Sequence, residues 1–100
     1  MSRIQMFDEL KRIEGQRGAL LVPLYLLKNG ETLNRILRAG LDNLDNSALN
    51  RAAKILTESG LIIIRTEGKH RTAPRYYRLT DKGREFAETI DELERLLKSL

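Results

Sequence analysis

The sequence contains no cysteine, no tryptophan, one histidine and two prolines, and only 5% of it is aromatic. Each shortage closes a class of function. Without cysteine there are no disulfides, thiolate metal sites, thiol nucleophiles or thiol redox switches. That composition fits a cytosolic protein. With His70 as the single histidine, a metal site would need carboxylates alone around it, so no metal is expected. The same shortage leaves no second candidate for a Ser/His/Asp set, and there is no glycine-rich phosphate loop. The reading is a non-enzyme without a cofactor. The longest apolar run, residues 19–27, is far too short to span a bilayer and contains Pro23, so no membrane partner is expected. The opening stretch, MSRIQMFDELKRIEG, spreads its charges and has no apolar centre, and is not expected to be a signal peptide.

The chain has 100 residues, 41% of them hydrophobic, enough for one domain with a small core of leucine, isoleucine and alanine. Residues 2–14 place Met6, Leu10 and Ile13 at helical spacing, with Phe7 beside them, and Gly15 and Gly18 end that helix. Residues 18–28 are apolar nearly all round, which predicts a buried central helix whose first turn Pro23 marks or distorts. Thr32 is expected as the N-cap of a short helix with the stripe Leu33, Ile36, Leu37 and Leu41, closing near Gly40. Asp45 and Asn46 are candidate caps for a helix over residues 47–59. Its apolar positions Leu49, Ala52, Ala53 and Leu56 follow i, i+3, i+4, i+7, and Gly60 sits where a C′ glycine belongs. Two strands over residues 61–66 and 75–79 then flank the loop EGKHRTAP. Thr80 caps a last helix. The expected order is four helices, two strands and one helix.

Two short helices joined by a tight polar segment, followed by a basic hairpin, make a helix-turn-helix with a wing. A helix of this kind fits the major groove, where its outward residues must offer donors and acceptors to base edges. Here those residues are Ser47, Asn50, Arg51 and Lys54. Asn suits adenine, Arg suits guanine, and Ser and Lys suit phosphates or base edges. The hairpin is the sharper signal. Between Arg65 and Arg78 it carries Arg65, Lys69, Arg71, Arg75 and Arg78 against Glu67, a local +4 equal to the charge of the whole chain. Loops charged for solubility mix signs. This one points to phosphate or minor-groove contact through Lys69, His70, Arg71 and Arg75.

The segments SALNRAAKILTESGLIIIR and PRYYRLTDKGREF resemble the winged helix-turn-helix transcription regulators, in the neighbourhood of the HxlR, PadR and MarR groups. The shared features are the Leu-x-x-x-Gly-Leu-Ile turn at residues 56–62, a strand ending in Arg65, and Tyr-x-Leu-Thr-x-x-Gly at residues 77–83. The resemblance implies duplex contacts from the outward face of residues 47–54 and from Lys69, Arg71 and Arg75. The chain lacks the tryptophan-containing helix start of HxlR proteins and has a shorter last helix than PadR proteins.

The last helix repeats Phe86, Ile90, Leu93, Leu97 and Leu100 in steps of four, three, four, three, with charges between. That is a heptad seam. Residues 81–100 are therefore expected to form a coiled-coil dimerisation helix within one domain over residues 1–100. The alternative is packing on its own domain. The doublet Asp91-Glu92 is expected on the solvent side. The expectation is a mainly α, α+β winged-helix protein that binds double-stranded DNA as a homodimer. The rival readings are a nonspecific architectural DNA-binding protein and a winged helix that grips an acidic protein partner.

Overall fold

The computed structural model describes residues 7–99, so the expectations placed on Met6 and Leu100 lie outside the described residues. The elements are α1 (Asp8–Glu14), α2 (Leu21–Asn29), β1 (Thr32–Leu33), α3 (Asn34–Gly40), α4 (Asn46–Glu58), β2 (Ile62–Thr66), β3 (Arg75–Leu79) and α5 (Asp81–Lys98).

The α3–α4 unit forms for local reasons. Asp42 and Asn43 adopt left-handed backbone, with φ of 56° and 58°. Asp and Asn tolerate that conformation best among non-glycine residues. The turn is pinned by buried Leu44, whose N–H donates to the Arg38 carbonyl at 3.0 Å. Asp45 then caps α4, its carboxylate accepting from the Ala48 N–H at 2.6 Å. The expected stripe of α4 is the core face: Leu49, Ala52, Ala53 and Leu56 are all buried, together with Ala48. Gly60 follows with φ of 75°, as a C′ glycine requires.

Three expectations are corrected here. Thr32 is not a helix cap. It lies in β1, a third strand, paired with Tyr77 while Leu33 pairs with Tyr76. Its hydroxyl donates to the Gly30 carbonyl at 2.8 Å, and the α3 cap position falls to Leu33 without a side-chain bond. In the stripe assigned to α3, Leu37 is buried but Ile36 is exposed. The third correction concerns α2. Val22, Pro23 and Leu26 are buried, yet Leu20 and Leu21 at its start are exposed, so this helix is not central all round. Pro23 occupies the third helical position, where a missing N–H costs no ladder bond.

The sheet runs β1-β3-β2, antiparallel throughout. Tyr77 in its middle strand is fully buried, and its hydroxyl accepts from Asn34 Nδ2 at 2.9 Å, tying β3 to the start of α3. The loop Glu67–Pro74 closes with a Glu67 N–H to Pro74 carbonyl bond and a turn from His70 to Ala73.

Helix α5 is fixed at its start by Thr80, which accepts from the Gly83 N–H at 2.9 Å and donates to the Gly60 carbonyl at 2.6 Å. It packs against α2, with Ala87 buried and Phe86 against the core. The heptad seam therefore divides. Phe86 and Ile90 are half-buried, whereas Leu93 and Leu97 are 48% and 70% exposed. Asp91 is not on the solvent side: only 16% of its side chain is exposed, and it pairs with Lys28 and Arg95, each at 3.0 Å. The Lys28 hydrogen bond is the main reason its carboxyl lies below the ordinary 3.8.

Candidate nucleic-acid interface

Opposite its buried stripe helix α4 exposes Ser47 in the first turn, then Asn50, Arg51 and Lys54, with Glu58 at its end. The helix lies between two shallow grooves. On the wing side, Asn50, Lys54 and Arg75 share a groove with Ala53, Thr57, Glu58 and Ile64. On the other side, Arg51 and Lys54 share one with Arg12, Gln16 and Glu58 of the α1 region and α4. Arg12 holds the half-exposed Glu58 carboxylate at 3.2 Å.

The expected wing residues do not form one group. Lys69 and His70 sit at the exposed tip. Arg71 is exposed on the returning limb, and Arg75 is half-buried at the start of β3. Arg75 reaches back to α4, donating from Nη2 to Asn50 Oδ1 at 3.2 Å. Arg65 belongs to none of these. It is held by Glu31 at 3.0 Å and Glu67 at 3.1 Å and lies 4.6 Å from the Tyr76 ring centre. The Arg65 hydrogen bond holds the Glu31 carboxyl below its ordinary 4.5, and the guanidinium is raised in turn. The hairpin's charge is thus smaller than the sequence count, because Glu31 folds in from the α2–β1 turn.

What the sequence reading missed lies on α3. A cleft of about 450 Å³ opens between α3, the start of α4 and the returning limb of the wing. Arg35, Arg38, Arg71 and Arg75 line it with Asn34 and Asn46, and among the described residues no carboxylate does. Arg38 is oriented: its Nε donates to Asn34 Oδ1 at 3.0 Å, the same Asn34 whose amide nitrogen holds Tyr77. The remaining guanidinium N–H groups are left for a ligand. The signal was present in the sequence as polar residues 34, 35 and 38 beside Leu37 on the first helix of the pair. Such a site suits an anion with several oxygens, as a phosphodiester has. Among the described residues no cluster of His, Asp and Glu fit to hold a metal ion is present, and no helix is long and apolar enough to cross a membrane.

No family model and no curated protein matches the chain. Solved structures do. A protein assigned to the MarR family of transcriptional regulators from Porphyromonas gingivalis W83 is 17% identical, with a TM-score of 0.76 over 99% of this chain and 95% of that one. A SlyA-like transcription regulator from Listeria monocytogenes is 21% identical, with a TM-score of 0.70 over 82% of this chain. The match spans 53% of that regulator's length. Reduced AbfR, solved bound to DNA, is 22% identical, with a TM-score of 0.65 over 91% of this chain and 78% of that one. The fold is that of the winged helix-turn-helix regulators, mostly helical with a small antiparallel sheet and a C-terminal helix.

Proposed function

We propose that the chain binds double-stranded DNA sequence-specifically, as a homodimeric transcriptional regulator and not as an enzyme. Helix α4 enters the major groove, where Ser47, Asn50, Arg51 and Lys54 face base edges and phosphates. Lys69, His70 and Arg71 reach the flanking phosphates or minor groove from the wing. One observation carries the reading: the exposed polar face of α4 borders a four-arginine cleft that no carboxylate among the described residues lines. Arg35 and Arg38 join the interface as phosphate contacts. The fold's likeness to transcription regulators, and to AbfR as solved on DNA, supports it.

The dimer rests on a second set of residues. Phe7, Leu10, Leu20, Leu21, Leu93, Leu96 and Leu97 are large, apolar and exposed, and they belong to α1, α2 and α5 and their flanks rather than to α4. Pairing through α5, with α1 against it, covers them and leaves both α4 helices free. Two such helices about 34 Å apart would read inverted half-sites one turn apart. Selection of bound duplexes from a random pool tests the reading. The expected product is an inverted repeat with half-sites about 10 base pairs apart. Retention without any sequence enrichment would instead mark an architectural DNA-binding protein.

A further inference from the structure

Asn50 projects from the outward face of α4, and its side-chain oxygen is held by Arg75 Nη2 at 3.2 Å. A guanidinium has only donors and stays charged, so the Asn50 atom facing it has to be the carbonyl oxygen. The amide nitrogen, with two N–H donors, is the end left without a partner among the described residues. Arg75 can keep this pose because it is anchored as the first residue of β3, paired with Thr66 and half-buried.

The pose matters for base reading. Asparagine recognises adenine with both ends at once, accepting from N6 and donating to N7. That requires the oxygen to point at the base edge, whereas here it points at the wing. The neighbouring cations share the bias. Arg51, Lys54 and Arg75 are donors only. Glu58, the carboxylate on this helix, is engaged by Arg12.

Resting on α4 as the major-groove helix, we infer that Arg75 fixes Asn50 as a hydrogen-bond donor, so that the base facing it is guanine and not adenine. Guanine offers two adjacent acceptors, N7 and O6, to the two amide N–H groups. Arg75 is a positioning residue for specificity, acting through Asn50. The expectation from residue type alone, Asn with adenine, is replaced.

Duplex selection with the wild-type chain and the variants Asn50→Ala, Arg75→Ala and Arg75→Lys tests this. The position that loses its preference in Asn50→Ala is the Asn50 contact, and the wild type should hold guanine there. Arg75→Ala should move that one position toward adenine by about two- to tenfold, the range of one hydrogen bond, with other positions unchanged. Arg75→Lys keeps a donor beside the oxygen and should keep guanine. Adenine at that position in the wild type, or no change in Arg75→Ala, would overturn the inference. So would an Asn50→Ala variant that alters no position, and in that case the duplex-binding reading would still stand. If no variant and no wild-type chain enriched any duplex, both would fall.

Discussion

Gly83 shows how tightly single residues are determined here. A Cβ at this position would run into the backbone carbonyl of Leu61, which cannot move without disturbing the Thr80 N–H bond to the same oxygen. Gly83→Ala should therefore destabilise the fold by about 2 kcal/mol or more, read as a lower urea midpoint with unchanged m-value. Tyr77→Phe removes the acceptor for Asn34 and should cost roughly 1 kcal/mol. It should also loosen Arg38 in its cleft. Asp91 adds a pH dependence. Its folded carboxyl lies below the ordinary 3.8, so the stabilisation is present above that value and lost as the pH falls through the folded pKa. Asp91→Asn should lower the melting temperature near neutrality and flatten the acid limb below about pH 4. These residue contacts were the least legible part of the sequence. Asn50–Arg75 and Glu31–Arg65 join positions 25 and 34 apart, and such pairs exist only once the chain has folded.

At the scale of elements the sequence was more legible, because helix signals are local. The stripe of α4, its Asp45 cap and its glycine stop are all in one short stretch. Asp45→Ala should cost about 1 kcal/mol and fray the first turn that presents Ser47, measured by denaturation and by amide exchange at Ala48. The strand β1 was hidden for the opposite reason. Two residues show no alternation, and the pairing partner of Thr32 is Tyr77, far along the chain. A threonine before a leucine-rich helix then reads as a cap. The start of α2 failed similarly: apolar residues all round a helix signal burial, but Leu20 and Leu21 are exposed, on the proposed dimer face.

For the whole molecule, the arginine cleft and the exposed apolar surface lie on different elements. Arginines without carboxylates gather between α3, α4 and the wing, while large exposed leucines gather on α2 and α5. The heptad in the last helix was visible beforehand; that this helix would pack on α2 was not, since a four-three pattern does not say which surface it meets. Leu93→Lys together with Leu97→Lys should leave the core intact and convert dimers to monomers in analytical ultracentrifugation. Duplex affinity should fall with it, since each half-site would then be bound alone.

A surface that grips a duplex through phosphate-directed arginines must bind it in a salt-dependent way. The direct measurement is equilibrium binding to a short duplex over a series of salt concentrations, for the wild type and for Arg35→Ala with Arg38→Ala. With about eight phosphate contacts per dimer, log K should fall against log salt with a slope near −7, and each lost arginine should flatten it by roughly one per protomer. A wild-type chain that binds no duplex at low salt, or a slope the two substitutions leave unchanged, would rule out phosphate contact by these arginines.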